Sequence, residues 1–188
     1  MKYKILLASQ SPRRREILAM LKIPFTVVTI EGIDEKYPPD LEPDKVAEYI
    51  ANKKADAFLK IINDEEMIIT ADTVVICDNQ ILGKPKGKQE AEEMLRMLSD
   101  KSHVVTTGVT VATKEKHISF TSATYVSFAP LSEDEIKFYV DTCHPYDKAG
   151  AYGIQEWIGA VAVKKIDGSF YNVMGLPVHQ LYQVLKQF

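Results

Sequence analysis

Two rhythms of apolar residues alternate along the chain: a period of about 3.6 marks helices, and short continuous or alternating runs mark strands. Tyr3 to Ala8 is an apolar run that stops at Ser9-Gln10-Ser11-Pro12, after which Ile17, Leu18 and Leu21 recur at helical spacing. That pattern predicts strand, loop and helix. Phe25 to Ile30 reads as a second strand, followed by a polar, proline-broken loop from Gly32 to Asp40. Pro43 suits a first helical turn, and Val46, Ile50, Ala57, Phe58 and Ile61 then fall on one helical face, predicting a long second helix. Met67 to Ile76 is apolar and β-branched except for Thr70, Asp72 and Thr73, the pattern of a buried central strand with a polar interruption. Asp78-Asn79 turns the chain back through Gln80-Ile81-Leu82 to Gly83-Lys84-Pro85, and a helix follows through Ala91, Met94, Leu95 and Leu98.

Further on, Val104 to Ala112 and Ile118 to Ala129 flank Lys114-Glu115-Lys116 as a hairpin, and Ser132 with Glu135 forms a capping box before Ile136 and Val140. His144 to Gln155, rich in Pro, Gly, Asp and Lys, reads as a functional loop. Ala160 to Ile166 and Phe170 to Val173 surround Asp167-Gly168, a two-residue hairpin signal, and Pro177 opens a last helix with Val178, Leu181 and Leu185. Hairpins outnumber strand-helix-strand units, so the expected class is α/β with a mixed sheet rather than an all-parallel one.

Composition narrows the function. The chain has 188 residues, 46% hydrophobic and 26% charged, enough for a real core, and no linker is long enough to divide it, so a single domain over residues 1–188 is expected. A net charge of -3 gives no general attraction to nucleic acid or anionic membrane, so a phosphate-bearing ligand must be caught by local positive groups. The start of the chain does not read as a signal peptide and no apolar run approaches membrane length, which points to the cytoplasm. Cys77 and Cys143 are too few for a disulfide framework, and the four histidines lack zinc-binding spacing, so any metal is expected to be a hard, oxygen-bound ion.

Three positions break local rules. Ser11 is a good N-cap and Pro12 a good first helical residue, but Arg13, Arg14 and Arg15 then crowd the end of the helix where the dipole favours negative charge. An anion there would meet free backbone N–H groups, the Ser9 and Ser11 hydroxyls, and guanidiniums able to grip phosphate; the plainer alternative is three solvated arginines relieved by Glu16. Lys54 falls inside the apolar arc of its helix, where it either snorkels or serves a cleft. Asp72, within Ile68-Ile69-Thr70-Ala71-Asp72-Thr73-Val74-Val75, must be paired, bind a metal or act as a base, unless Thr70 or Thr73 satisfies it as a structural carboxylate or it sits at a strand end. Lys84 on its own reads as a turn lysine, and the glycine and lysine spacing around it is not that of a P-loop.

Ser9-Gln10-Ser11-Pro12-Arg13-Arg14, Ala71-Asp72-Thr73, Gly83-Lys84-Pro85 and Asp147-Lys148-Ala149-Gly150-Ala151-Tyr152-Gly153-Ile154-Gln155 occur in the order seen in the Maf family of nucleotide pyrophosphatases. The resemblance runs from Leu6 to the helix after Gly175-Leu176-Pro177, and the last loop is most similar to the branch that hydrolyses dTTP and UTP. It implies a twisted mixed sheet flanked by helices with a deep central cleft, usually in a homodimer, and a divalent metal cation, Mg or Mn. It also implies Asp72 as proton acceptor, Ser9, Arg13, Arg14, Lys54 and Lys84 facing the phosphates, and Glu35 as an acidic residue near the reacting centre. Arg13, Thr73 and Gln155 fall where the family sets base preference. One departure is Glu156, directly after Gln155, where many relatives are expected to carry glycine.

Hydrolysis at the α-phosphorus needs a positioned water, a base or metal to activate it, and positive charge for the departing pyrophosphate. With the roles that the resemblance implies, Asp72 and Glu35 are the expected metal ligands, Asp72 acting as base, ligand or both. Gln155 can face the polar edge of thymine or uracil, although a flipped amide suits cytosine equally, so neighbours must fix its orientation. Two rivals are a nucleotide-binding regulator of septum formation with little turnover and a pyrophosphatase of the 7-methyl-GTP branch. A nucleic-acid binder is disfavoured because charges of both signs are intermixed.

Overall fold

The computed structural model describes residues 2–188. In chain order its elements are β1 (Lys4–Ala8), α1 (Pro12–Ala19), β2 (Phe25–Val28), α2 (Pro43–Leu59), β3 (Glu66–Cys77), β4 (Gln80–Leu82), α3 (Lys88–Leu98), β5 (Ser102–Ala112), β6 (His117–Phe128), α4 (Glu133–Cys143), a single 3₁₀ turn (Ala149–Ala151), α5 (Trp157–Ala162), β7 (Val163–Asp167), α6 (Phe170–Val173) and α7 (Val178–Leu185). The sheet has seven strands in the order β2-β1-β3-β5-β6-β7, with β4 paired on β3. β1 is parallel to both β2 and β3, whereas β3 with β4 and β6 with β7 are antiparallel, so the sheet is mixed as its hairpin content predicts. The left-handed Asp78 and Asn79, at φ 49° and 62°, supply the paired positive φ values that a tight hairpin between β3 and β4 requires.

The contacts group the chain into two compact units, the first made of the residues up to Asp72 with 107–122 and 175–188, the second of 73–106 with 123–174. In the first, Leu6, Ala8, Ile68 and Ala112 of the strands pack against Phe58 and Ile62, and Ile17 and Leu18 of α1 are fully buried. Burial of each large side chain of this kind contributes about 1.5–3 kcal/mol. α2 lies unusually close to β5: a Cβ added to Gly108 would stand 2.2 Å from the backbone nitrogen of Glu48, so only glycine admits the helix at that distance. Polar bonds fix its position, with the Thr70 hydroxyl donating to the Ala51 carbonyl at 2.7 Å, Thr121 to the Glu48 carboxylate, and Thr110 to Asn52 Oδ1 at 2.8 Å. In the second unit, Leu95, Leu98, Ile136, Tyr139, Val140 and Ile158 join Val105, Val126 and Phe128 of the strands in one core. The capping box of Ser132 and Glu135 forms as its spacing predicts.

Three sequence expectations are corrected. Ala160 is not in a strand: α5 runs to Ala162, with the amides of Gly159 and Ala160 donating to the Glu156 carbonyl, and only Val163 onward pairs with β6. Asp167-Gly168 does not close a hairpin, because Ser169 caps α6 through the amide of Asn172, and Phe170–Val173 is helical. Ile61 lies beyond the end of α2 and is 68% exposed, while Ile62 takes the buried place. An apolar run this short satisfies either period, so tertiary pairing decides it.

Candidate active site

Six of the nine candidate residues lie in the first unit, where α1, α2, β3 and the loop before α2 bring five of them, Arg13, Arg14, Glu35, Lys54 and Asp72, into one electrostatic group. Thr70 and Asp72 share a face of β3 because side chains alternate along a strand, and Thr70 is bonded to the first residue of the Ala51-Asn52-Lys53-Lys54 turn of α2. Lys54, one turn on from Ala51, therefore projects along the same face, and its Nζ donates to Asp72 Oδ1 at 2.8 Å. The same ammonium stands 2.9 Å from Glu35 Oε1. The three side chains differ in exposure, at 14% for Lys54, 17% for Asp72 and 57% for Glu35, so the acid on the strand is recessed without being sealed. Lys54 neither snorkels nor fills a core position; it joins two carboxylates.

The arginines of α1 complete this group. Ser11 caps the helix, its Oγ accepting from the Arg14 amide at 3.5 Å, and its own amide donates to Ser9 Oγ at 3.2 Å. No acidic residue occupies the first turn, so the positive end of the helix dipole and the arginines are left together. Arg14 Nε donates to the Gly175 carbonyl at 2.8 Å, which aims the guanidinium inward rather than into solvent. Burial pushes the Arg14 guanidinium below its ordinary range, attraction from Asp72 and Glu35 opposes that shift, and repulsion from Arg13 adds to it. The arginine is thus within the field of both carboxylates and of its neighbour. Such an arrangement, two cationic side chains and a helix N-terminus beside a recessed acid, has the chemistry to bind an anion and to move a proton next to it.

The remaining three candidates belong to the second unit. Thr73 follows Asp72 in β3 and is half-buried, Lys84 is exposed after the exposed Gly83, and Gln155 is exposed after the buried Ile154. The Gly83-Lys84-Pro85 segment and the loop that ends at Gln155 are bonded to each other, since the Gly150 amide donates to the Gly83 carbonyl at 3.1 Å. Two motifs separated by more than sixty residues therefore share one anchor. Sequence reasoning passed over Tyr139 and did not assign a partner to Lys148 or Glu156. Lys148 Nζ lies 2.8 Å from Asp147 Oδ1 and 3.0 Å from Glu156 Oε1, and the Tyr139 hydroxyl donates to Glu156 Oε2. The available signal was a lysine and a glutamate bracketing a glycine-rich loop.

Among the described residues no group of three His, Cys, Asp or Glu side chains converges on a point where a metal ion would sit. Asp72 and Glu35 do converge, on the Lys54 ammonium, and two carboxylates are what a protein commonly supplies to Mg²⁺ when substrate phosphates and water complete its shell. No helix among the described residues is long and apolar enough to cross a membrane.

Comparison with known proteins extends these findings. The family described as Maf-like protein matches residues 4–188. A protein of Bacteroides thetaiotaomicron named dTTP/UTP pyrophosphatase is 54% identical over 186 residues, covering 99% of this chain and 96% of its own. Another of that name, from Parabacteroides distasonis, is 52% identical over 187 residues, covering 100% and 97%. The structure of the Staphylococcus aureus Ham1 protein superposes with a TM-score of 0.58 at 16% identity, covering 98% of each chain, which establishes a shared fold. With its four ordered motifs, the matched length and half of its residues identical to those of these relatives, the chain belongs to the Maf family.

Proposed function

We propose that the protein hydrolyses dTTP and UTP between the α- and β-phosphates, releasing the nucleoside monophosphate and pyrophosphate. The observation that carries this reading is the contact of Lys54 with Asp72 and Glu35 beside the arginine-bearing N-terminus of α1. Support for the choice of substrate comes from the relatives, which bear the name dTTP/UTP pyrophosphatase at about half identity over the full chain.

In the mechanism, Arg13, Arg14 and Lys54 neutralise the triphosphate, with Ser9 and the α1 amides donating to phosphate oxygens. Asp72 accepts a proton from the attacking water as its oxygen bonds to the α-phosphorus and the bond to the bridging oxygen breaks. Pyrophosphate leaves with that bridging oxygen, its negative charge met by the cationic side chains. Asp72 and Glu35 are the residues that would hold Mg²⁺ or Mn²⁺, which when bound lowers the pKa of water and withdraws charge from phosphate oxygens. Lys54 bridges the same two carboxylates, and its remaining N–H groups can donate to a phosphate oxygen. Gln155 donates to a pyrimidine carbonyl and accepts from the ring N–H.

The test is a panel of nucleoside triphosphates assayed for monophosphate and pyrophosphate, with and without Mg²⁺. Sustained release of pyrophosphate from dTTP and UTP is expected. Stoichiometric binding with no turnover would overturn the enzymatic reading, and preference for a modified guanosine triphosphate would overturn the pyrimidine assignment.

A further inference from the structure

Resting on the reading of Gln155 as the base-facing residue, we propose that Glu156 is a positioning residue for nucleotide specificity, acting through Lys148 and Tyr139 to fix the loop that presents the Gln155 amide. Glu156 does not cap its own helix. It occupies the N-cap position of α5, yet its side chain makes no capping hydrogen bond there. Instead the carboxylate turns back along the loop, Oε1 lying 3.0 Å from Lys148 Nζ and Oε2 accepting from the Tyr139 hydroxyl.

Each partner is committed in turn. Lys148 has a side chain only 10% exposed and reaches Asp147 at 2.8 Å as well, so its charge is met by two carboxylates within the loop itself. Tyr139, buried on α4, accepts from the Gly153 amide at 3.0 Å while it donates to Glu156. Burial and the bond to Glu156 both push the Tyr139 phenol above its ordinary range, so it remains a donor at any working pH. The loop is thereby closed end to end, from residue 148 to residue 156, and pinned in its middle to α4. Gly153 is built into this closure: a Cβ there would stand 2.8 Å from the Glu156 carboxyl carbon and 3.0 Å from Lys148 Cε.

Gln155 sits inside the closure as an exposed side chain between a buried isoleucine and the anchored glutamate. On either side of it the backbone is tied, the Gly153 amide to Tyr139 and the Glu156 amide to the Gly153 carbonyl. A glutamine amide can serve thymine, uracil and cytosine alike by rotating through half a turn, so discrimination needs neighbouring polar groups to settle its orientation, and these act only if the backbone that carries Gln155 is held in register with them. The Glu156 carboxylate, which holds the far end of the loop at Lys148 and its middle through Tyr139, supplies that restraint.

The experiment compares wild type with Glu156→Gln, Glu156→Ala and Tyr139→Phe, measuring kcat and KM for dTTP, UTP and CTP together with thermal melting. Glu156→Ala is expected to raise KM for dTTP and UTP and to cut discrimination against CTP about tenfold, with kcat changed by less than about threefold, while Glu156→Gln, which can still accept from Tyr139, recovers part of the discrimination. Unchanged selectivity in the folded variants overturns the proposal, as does an equal fall in kcat on every substrate. If Glu156→Ala fails to fold, Tyr139→Phe decides between these outcomes; failure of both to fold overturns the proposal, since the network would then be core structure only. A wild-type protein that does not turn over dTTP or UTP refutes the functional reading itself, which separates the two failures.

Discussion

Replacing Asp72 with asparagine removes the charge from the recessed acid while keeping its size, and the structure sets the scale of both consequences. Asp72 accepts one hydrogen bond from Lys54 at 2.8 Å, an interaction with a charged donor whose loss costs about 1.5–3 kcal/mol. Lys54 keeps Glu35 at 2.9 Å and the asparagine oxygen can still accept, so the net loss of stability falls near the lower end, about 1–2 kcal/mol. A domain stable by about 5–15 kcal/mol stays almost wholly folded after such a loss. Removal of the base, in contrast, lowers the rate about 10²- to 10⁴-fold, equivalent to about 3–5 kcal/mol of barrier. Pyrophosphate release from dTTP with Mg²⁺ should therefore collapse while calorimetry still detects nucleotide binding. The comparison variant is Lys54→Met, which leaves a carboxylate only 17% exposed without its ammonium and so destabilises more than Asp72→Asn, even though Glu35 at 57% exposure is solvated and loses little. Retention by Asp72→Asn of more than about a tenth of wild-type turnover would refute the argument, because a general base cannot be worth so little.

Arg14→Lys should raise KM for nucleotide about tenfold, since lysine cannot at once bond the Gly175 carbonyl and offer a planar fork to phosphate; steady-state kinetics with an unchanged melting temperature is the expected result. Gly108→Ala places a methyl 2.2 Å from the backbone of α2 and should destabilise by about 1–3 kcal/mol or more in urea melts, with activity falling too because Lys54 rides on the same helix. His103 is buried with its Nε2 bonded to the Tyr152 hydroxyl, and burial pushes its pKa down to about 4. The unfolded chain takes up this proton near pH 6.5 and the folded one only near 4, so stability is lost as pH falls through that window, by about 3 kcal/mol. His103→Gln, which keeps a partner for Tyr152, should flatten that part of the pH dependence of unfolding.

What the sequence determined by itself was local. The period of the apolar residues located α2 behind Pro43, the buried strand β3 with Asp72 inside it, the Asp78-Asn79 turn and the Ser132–Glu135 capping box, because each depends on residues within a turn or two of one another. Broken rules were equally informative: a lysine in an apolar arc had to snorkel or serve a cleft, an acid in a central strand had to be paired, bind a metal or act as a base, and the two are bonded to each other. The tertiary structure alone decided which charges met. Lys54 and Asp72 are eighteen residues apart, and their contact rests on Gly108 admitting α2 to close packing and on Thr70 holding its backbone. The same holds where the reading failed. Val163-Lys164-Lys165-Ile166 could find its strand partner only in β6, the preceding Ala160 had a helix to join, and the loop from Lys148 to Glu156 has no period at all. Its shape comes from an ion pair and a tyrosine on α4, groups that a one-dimensional pattern leaves apart because pairing energy depends on distance in space and not on separation along the chain.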